Sequence, residues 1–435
     1  LEHDFAKVMA EQEENGWLMD LPAAKKLLAK VNVRMATIEL DIEPQLLPRK
    51  IYLDKTPRVA KILKNGKYDR VTQDWFGDKP VVSPYQRFRI VETTLGNNEA
   101  ISSLLLENGW APTEWNWGRT DEGKFFKKSP KLTEDSYASI TGNLGKLVGE
   151  WRTLRARRGF IEGLFKNVRE DGRLSCRAFV IGTNTFRCRH AGIVNVPGPT
   201  AYMGDEIRAL FICGPDRRIV SADSDANQLR GLGHYINNPE ISAAIAEGNQ
   251  EDGTDIHTRT ARIVGVTRPL AKTLTYALIF GASDGKLGDT IGRKNDGKQI
   301  RKLMEESYEG IKEFIAKLNY TWELHYHSGG RGFIYSISGH RVYCEKYKCF
   351  NALLQSFEAS TCKIATVEAY RRIKEEGLDA KIVAHIHDEF SWDVAAEDAD
   401  RVAEILEDAL GPFLTEVFDL NIQMDATAVI GKSWK

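Results

Sequence analysis

The sequence predicts a protein of the mixed α and β class, with helices first and strands later. Up to about residue 170, most segments place apolar residues at helical spacing. Beyond Asp171, short strand-like runs precede helix-like segments. The chain has 435 residues, of which 42% are hydrophobic and 28% charged, so it is long enough for two or three domains with a large core.

The composition limits the binding partners and the cellular compartment that we expect for this protein. The formal net charge is -1, so a surface that binds nucleic acid would have to be local. The six cysteines form no C-x-x-C pair, which favours reduced thiols in a cytosol-like compartment over a disulfide framework or a zinc site. No signal peptide and no membrane-spanning apolar run is present, so we expect no membrane partner. Because the first residue is Leu1, we expect a fragment or a processed product.

The first 170 residues read as helices separated by two irregular segments. The predicted helices cover Glu2 to Asp41 with a break near Gly16–Pro22, Glu99–Gly109 and Tyr137–Val168. The irregular segments are a locally basic excursion from about Pro44 to Pro84 and a Trp-rich loop, "NGWAPTEWNWG".

The first chemical motif is "RIVSADSDANQLRGLGHY". Arg218–Asp223 is predicted to be a strand, and Asp225 with Gln228 forms a pattern like the capping box at the start of a helix. Capping explains Asp225 and Gln228 without any function, but it leaves Asp223 unexplained. A carboxylate at the end of a buried strand is costly unless it is paired or binds a metal.

A second carboxylate lies in "KIVAHIHDEFSWDV". Two strand-like runs, Lys381–Ile386 and Phe390–Val394, flank a polar triplet that contains Asp388 and predict a hairpin with acids at its tip. An ordinary polar turn is the alternative. Asp223 and Asp388, side by side in one sheet, would repel each other unless divalent cations neutralised them. Such oxygen ligands suit magnesium, and a pair of ions is the usual clamp for phosphoryl transfer.

The third motif is "TRPLAKTLTYALIFGAS". Thr267 is predicted to cap a helix that ends at Gly281. The helix carries three polar residues on one face: Arg268, Lys272 and Tyr276. Arg268 at the positive end of the helix dipole is unfavourable unless an anion joins it, and a polyphosphate would satisfy this condition. A surface helix with solvated cations remains the alternative, and His257 in "GTDIHT" is open to a structural role as well.

In this order and spacing, the three motifs resemble motifs A, B and C of the family-A DNA polymerases, and within them the phage replicative branch. "NGWAPTEW", "DIHT", "NALLQS" and "HIHDE" match in sequence order, and "LEHDFAKVMAEQEENGW" is similar to the segment that joins the exonuclease domain to the thumb. The resemblance implies an α+β right-hand polymerase fold with a helical thumb, an antiparallel-sheet palm and helical fingers. The implied parts are a thumb and N-terminal helical region (1–170, with the excursion at 44–84), a first palm segment with motif A (171–250), fingers with motif B (251–335) and a second palm segment with motif C (336–435).

The resemblance also implies roles for individual residues. Asp223, Asp388 and the Ser224 carbonyl would bind two Mg²⁺ ions, with Mn²⁺ as a substitute, and Lys272 would be catalytic. The residues matching those that hold the incoming nucleotide are Arg268, Lys272, Tyr276, His257, Gln228, Phe280 and Ser224. The residues matching those that contact the primer and template are Arg187, His190, Gln355, Asn351 and His387.

The sequence departs from the family pattern at three positions. Gln228 stands where the family has Glu, and Phe280 stands where it has the Tyr that binds this Glu. We therefore expect Gln228 to keep a steric barrier against ribonucleotides through its volume, but to lose the charge and the anchor of the family's glutamate. Sugar discrimination is then expected to persist, in a looser form. Phe186 stands where the family's T-G-R pattern has Gly, so Arg187 is expected to be presented differently.

The implied activity is template-directed addition of dNTPs to the 3′-hydroxyl of a primer. "LDIEP" at Leu40–Pro44 resembles the Asp-x-Glu of a proofreading exonuclease, but we interpret it as structural and expect no 3′–5′ exonuclease in this chain. The implied partners are primer–template DNA and dNTPs, with a processivity factor or a separate exonuclease as weaker suggestions. The implied location is cytoplasmic, in an infected bacterial host if the gene is from a phage. The alternatives are a single-subunit RNA polymerase, a magnesium-dependent nuclease and a non-catalytic subunit that binds primer–template.

Tyr276 generates a prediction about chain terminators. Other members of the family carry Phe at this position, and the resemblance implies that Tyr permits ready incorporation of dideoxynucleotides. Insertion of a single dideoxynucleotide, measured beside the matching dNTP, tests this. Strong rejection of the terminator would contradict it.

Overall fold

The computed structural model describes residues 1–112, 114–132 and 142–434, which form two units. Unit 1 contains Leu1–Ala24 and Gly163–Lys435, and unit 2 contains Lys25–Glu162. Among the described helices, none has both the length and the apolar composition needed to cross a bilayer. The four-part division implied by the family resemblance stays a prediction.

The elements are numbered in chain order. The helices are α1 (Glu2–Asn15), α2 (Leu21–Ile42), α3 (Arg70–Phe76), α4 (Asn98–Glu107), α5 (Asn143–Asn167), α6 (Gly204–Arg208), α7 (Asn227–Ile236), α8 (Pro239–Ala246), α9 (Ile256–Val264), α10 (Arg268–Ile279), α11 (Asp284–Thr290), α12 (Gly297–Ser307), α13 (Ile311–Gly329), α14 (Cys349–Glu375), α15 (Ala399–Leu410) and α16 (Pro412–Val417). The strands are β1 (Trp17–Met19), β2 (Arg49–Tyr52), β3 (Phe88–Val91), β4 (Trp115–Arg119), β5 (Phe125–Pro130), β6 (Arg173–Leu174), β7 (Arg177–Phe179), β8 (Arg189–Ala191), β9 (Phe211–Ile212), β10 (Arg217–Ser224), β11 (Phe333–Tyr335), β12 (Arg341–Tyr343), β13 (Ala380–Ile386), β14 (Glu389–Ala395) and β15 (Ala426–Gly431).

The predicted N-terminal helices are confirmed. Helices α1 and α2 lie on either side of the predicted break, which contains β1, and β1 pairs with β6 and β9 in an antiparallel sheet. Helix α4 agrees with the prediction to within two residues. Helix α5 covers most of the predicted long helix, and residues 137–141 of that prediction lie outside the described residues.

Two predictions in unit 2 were wrong. The excursion is not simply irregular, because β2 pairs with β3 and α3 lies between them in sequence. The Trp-rich segment, of which Thr113 lies outside the described residues, is not a loop but contains β4, which pairs with β5 in a hairpin. In both cases the strand partner follows the segment in the chain. Such pairing depends on contacts across the sheet, which the pattern of a single strand does not reveal.

The central sheet of unit 1 has the strand order β13-β14-β10-β15, with antiparallel neighbours. Strand β10 hydrogen-bonds on both edges and is apolar in its middle, where Ile219, Val220 and Ala222 are buried. Strands β13 and β14 form the predicted hairpin with a two-residue turn, His387-Asp388. Glu389 is not at the tip of the turn, because it is the first residue of β14.

Two apolar clusters hold the elements of unit 1 together. The first packs α14, α15 and α1 against the central sheet, and its members include Phe5, Val220, Phe357, Trp392, Val402 and Leu406. The second lies among the helices between residues 229 and 311, and its members include Leu232, Ile256, Leu274, Leu278, Met304 and Tyr308. Each fully buried large apolar side chain contributes about 1.5–3 kcal/mol. The clusters thus fix both the sheet and the motif-bearing helices.

A buried charge on β14 ties β6 to the sheet and pairs with the first residue of β10. The Asp393 side chain is 1% exposed and accepts hydrogen bonds from Arg217 Nε at 2.6 Å and from Arg173 Nη2 at 3.2 Å. Arg217 also pairs with Asp379 at 2.7 Å, but that carboxylate is 59% exposed. The two acids therefore share a cation and differ in burial.

We expect Asp393→Ala to lower the free energy of unfolding by about 3–5 kcal/mol, because it leaves two partly buried guanidinium groups without their partner. Asp379→Ala is the matched control and should cost at most about 1 kcal/mol, since exposed ion pairs contribute little. Urea unfolding followed by tryptophan fluorescence measures both. Equal effects of the two substitutions would contradict the assignment.

Candidate active site

The two aspartates predicted to act together lie at one edge of the central sheet. The Ser224 N–H at the end of β10 donates a hydrogen bond to the Asp388 carbonyl at 3.2 Å. Asp223 is paired in register with Glu389, the residue after Asp388. The ends of β10 and of the β13–β14 hairpin therefore bring Asp223 and Asp388 together, as predicted from their positions at strand ends.

The environment of these two carboxyl groups disfavours their ionisation. Burial raises the pKa of Asp388 from 3.8 to about 7, and the charges of Glu358 and Asp223 raise it further. At Asp223, desolvation is again the largest cause, and with Glu389 and Asp225 it raises the pKa to about 6, although part of this side chain is exposed. Like charges held close in a desolvated position repel each other. This edge of the sheet therefore attracts cations.

The donor set fits a hard divalent cation. Within the described part of the chain, no three His, Cys, Asp or Glu side chains gather as a ligand set. The protein would thus supply the carboxylates of Asp223 and Asp388 and the Ser224 carbonyl, and water or phosphate oxygens would complete the coordination. Magnesium is commonly bound in this way, by one or two carboxylates together with substrate phosphates.

The predicted capping box at the start of α7 is wrong. Ala226 occupies the N-cap position with a left-handed φ of 53°, so that the helix begins at Asn227, one residue later than a cap at Asp225 would require. The Asp225 carboxylate instead accepts a hydrogen bond from the Thr427 hydroxyl of β15 at 3.1 Å. A contact with a strand from a distant part of the chain therefore uses the carboxylate that the local pattern had assigned to the helix cap.

Gln228 has an anchor that the sequence did not reveal. Its side chain is 6% exposed, and its amide nitrogen donates a hydrogen bond to the Glu358 carboxylate of α14. The same carboxylate forms an ion pair with Arg187. Phe280 is 50% exposed and stacks on Tyr276, with 6.4 Å between ring centroids. The family's tyrosine anchor is absent, as expected, because Phe280 has no hydroxyl, but Gln228 has a different anchor in Glu358. Its role at the sugar stays a prediction.

The positive charge of Arg268 at the start of α10 is balanced by a carboxylate of the protein itself. Thr267 takes the predicted N-cap position, but its side chain makes no capping hydrogen bond there. Arg268 Nη2 lies 3.0 Å from the carboxylate of Asp255, the residue that caps α9 by accepting hydrogen bonds from the N–H groups of His257 and Thr258. Asp255 thus fixes both His257 and Arg268 and supplies the anion that the helix dipole requires.

His257 lies buried beside this pair. Burial, followed by the charges of Arg268 and Lys272, lowers the pKa of His257 to about 4, so that the ring is neutral near pH 7. Its Nδ1 atom is buried without a partner in the described part of the structure. The side chain of Lys272 is exposed one turn after Arg268 on the same helix. Two cations and a neutral ring nitrogen therefore lie together where a polyphosphate was predicted.

Tyr276 connects this cluster with the acidic edge. Its ring centroid lies 6.4 Å from that of His257. Burial raises the pKa of Tyr276, and the charges of Asp388 and Asp223 raise it further, which is the effect of nearby carboxylates. The fold therefore gathers residues of all three motifs around one site, although more than 160 positions separate Asp223 from Asp388.

Three residues predicted to contact DNA hold local structure. Asn351 donates a side-chain hydrogen bond to the Ile279 carbonyl at 3.2 Å, and Gln355 accepts one from the Thr185 hydroxyl at 3.3 Å. The Asn351 contact ties α14 to the end of α10. Arg187 pairs with Glu358, as described above. Their contacts with DNA stay predictions.

His190 and His387 pack edge to face, with 5.3 Å between ring centroids. Burial, followed by His387, lowers the pKa of His190 to about 4, and neither of its ring nitrogens has a partner among the described residues. Nearby, Phe186 has a left-handed φ of 64° and its ring lies 4.8 Å from that of His340. An aromatic residue therefore adopts, at some cost in strain, the conformation that a glycine would adopt freely.

Two residues of the site escaped the sequence analysis. Asp255 carried a usable signal, since an aspartate directly before a helical pattern is a common N-cap. Glu358 carried a weaker one: a single acid in an otherwise uncharged stretch, "NALLQSFEASTC". Helix α14 is buried on many sides, and a buried acid implies a partner. The identity of that partner depends on contacts between distant segments.

Comparisons with known proteins agree with this geometry. A family model described as DNA polymerase family A matches residues 115–435. The DNA-directed DNA polymerases of Enterobacteria phage T3 and Escherichia phage T7 are each 25% identical to the chain, over all of it and 69% of their own length. DNA polymerase I of Chloroflexus aurantiacus is 25% identical over 58% of the chain and 28% of its own length.

Among solved structures, the chain is similar to the POL domain of Pol1 from M. smegmatis in complex with DNA primer-template and dNTP. The TM-score is 0.75 at 16% identity, and the match covers 100% of this chain and 70% of that one. At this identity the similarity concerns the fold, and it confirms the predicted α+β polymerase fold.

The raised pKa values of Asp223 and Asp388 generate a prediction about pH. Both carboxyls bind protons more tightly in the folded than in the unfolded chain, so their contribution to stability is present below about pH 4 and is lost as the pH rises through about 6 and 7. In EDTA, raising the pH from about 5 to about 8 should lower the Tm of the wild type more than that of the Asp223→Asn/Asp388→Asn variant. An identical pH dependence of the two proteins would contradict this.

Proposed function

Because this chain belongs to DNA polymerase family A, we propose that it extends a DNA primer with dNTPs at the site formed by Asp223, Asp388 and α10. Template-directed DNA synthesis is the activity named for the two phage relatives that the whole chain matches. The observation that carries the assignment of the site is the hydrogen bond from Ser224 N–H to the Asp388 carbonyl, which joins motifs A and C at one edge of the sheet.

The reaction joins the primer 3′-oxygen to the α-phosphorus of a dNTP while the bond to the pyrophosphate oxygen breaks and the hydroxyl proton is lost. Two magnesium ions, held by Asp223, Asp388 and the Ser224 carbonyl, would activate the hydroxyl and offset the developing charge. The carboxylates orient this centre because their strands are fixed in the sheet. Desolvation, followed by the charges of neighbouring acids, raises the pKa of both carboxyl groups.

The face of α10 is suited to the triphosphate. Arg268 and Lys272 supply positive charge, and the neutral ring of His257 offers a hydrogen bond without adding charge. Asp255 keeps Arg268 in place before the nucleotide arrives, at the cost of competing with phosphate for the guanidinium. Lys272, exposed and one turn along the helix, is the candidate proton donor to the pyrophosphate.

Membership in the family rules out the single-subunit RNA polymerase and the magnesium-dependent nuclease as readings of the three motifs. We propose that the chain belongs to the phage replicative branch, and the match of the T3 and T7 enzymes over its whole length supports this. We also propose that "LDIEP" forms no exonuclease site. In support, a Glu43 carboxylate oxygen accepts a hydrogen bond from the Leu95 N–H at 2.9 Å, which is a structural role. A processivity factor or a separate exonuclease stays a prediction.

We expect the wild type to extend a primed DNA template with dNTPs in Mg²⁺ and to stop when EDTA removes the metal. Asp388→Ala should lower the rate at least about 100-fold, because several kcal/mol of charge stabilisation disappear with the metal ligand. The exposed Asp379→Ala is the control and should retain activity. Primer extension resolved on a denaturing gel measures all of these, and an active Asp388→Ala variant would favour a different site or a non-catalytic subunit.

A further inference from the structure

Glu358 is a buried acid close to the predicted active site, and the polymerase mechanism assigns it no role. It lies on α14, its side chain is 4% exposed, and its carboxylate is shared by two donors. One donor is the guanidinium of Arg187 and the other is the side-chain amide of Gln228. A carboxylate removed from water is tolerated when it is paired in this way.

The shared carboxylate fixes the orientation of the Gln228 side chain. An ionised carboxylate only accepts hydrogen bonds, so the amide nitrogen of Gln228 must face Glu358 and the amide oxygen must face away. That oxygen, Oε1, is buried and has no partner in the described part of the structure. Arg187 Nε, on the other donor, is likewise buried without a partner there. Polar atoms left unsatisfied on both donors indicate a site completed by a ligand.

The surroundings point to the sugar of the incoming nucleotide. Gln228 is in the first turn of α7, directly after the strand that ends at Asp223 and Ser224. Asn227, the residue before Gln228, donates side-chain hydrogen bonds to Ser224 Oγ at 3.0 Å and to Thr361 Oγ1 of α14 at 3.1 Å, so that α14 lies beside the end of this strand. A hydrogen bond to a buried charge holds a long side chain far more rigidly than packing alone.

We propose that Glu358 is a positioning residue for sugar selection, which anchors Gln228 from α14 and turns it into a rigid barrier against a 2′-hydroxyl. Arg187 forms an ion pair with the buried carboxylate and so compensates for its removal from water. The proposal rests on the proposed polymerase function. According to this proposal the gate is anchored, and its discrimination between deoxyribose and ribose depends on Glu358, a residue outside the three motifs.

The test is the ratio of kcat/KM for a dNTP to that for the matching rNTP in single-nucleotide insertion. Glu358→Ala should lower this ratio at least about tenfold, because Gln228 loses its anchor and the barrier becomes mobile. Glu358→Gln retains an acceptor for the Gln228 amide and should keep most of the ratio. Glu368→Ala is the matched control on the same helix, because Glu368 pairs with Arg371 and Arg372 and lies away from the site.

A charge exchange separates positioning from a general effect on folding. Gln228→Glu alone brings two carboxylates into buried contact and should impair insertion of both nucleotides. The double variant Gln228→Glu/Glu358→Gln restores one donor and one acceptor in reversed order. It should recover insertion of the dNTP relative to Gln228→Glu, while the rNTP stays rejected. This arm remains informative if Glu358→Ala does not fold.

Two outcomes would overturn the proposal. One is a Glu358→Ala variant that changes kcat/KM for dNTP and rNTP by the same factor, as a merely structural residue would. The other is a double variant whose kcat/KM for dNTP insertion is no higher than that of Gln228→Glu alone. Failure of the proposed function is distinguishable, because the wild type would then insert no dNTP and the ratio would not be defined.

Discussion

The site depends on one electrostatic constraint: two like-charged carboxyl groups are held side by side at the edge of a sheet. Asp223 and Asp388 come from β10 and from the adjacent hairpin, and a backbone hydrogen bond from Ser224 to the Asp388 carbonyl fixes their separation. Neither can move away, because β10 is paired on both edges and apolar in its middle. The repulsion is thus built into the fold, and divalent cations are the groups that would relieve it.

Two other acids around this centre have cationic partners within the protein when no ligand is bound. Glu389, opposite Asp223 in the sheet, forms an ion pair with Arg208 and accepts a hydrogen bond from the indole N–H of Trp434. On the other side, Asp255 pairs with Arg268 at the start of α10. Binding of a phosphate would therefore exchange the partner of a side chain such as Arg268, which is already held in place by Asp255. Preorganised groups of this kind need little rearrangement during the reaction.

A third acid, Glu358, is the residue that we propose to act in the selection of the nucleotide sugar. In the family pattern, a glutamate on α7 is bound by a tyrosine on the fingers helix, and here these positions are Gln228 and Phe280. The carboxylate has in effect moved to Glu358 on α14, and the amide of Gln228 has become the donor. Phe280 is half-exposed and stacks on Tyr276, so that Gln228, the proposed gate, is anchored to α14 and not to Phe280.

The sequence by itself determined what depends on local pattern and chemistry. The helices at the N-terminus, the hairpin that carries Asp388 and the shared face of α10 all follow from spacing between near neighbours. Tertiary structure decided what depends on partners far along the chain. Such contacts include the pairing of β4 with β5 and the hydrogen bond of Asp225 to Thr427 in place of the predicted helix cap. The hydrogen bond between Gln228 and Glu358 joins residues 130 positions apart. A single sequence shows that a buried charge needs a partner, but only the fold decides which one it meets.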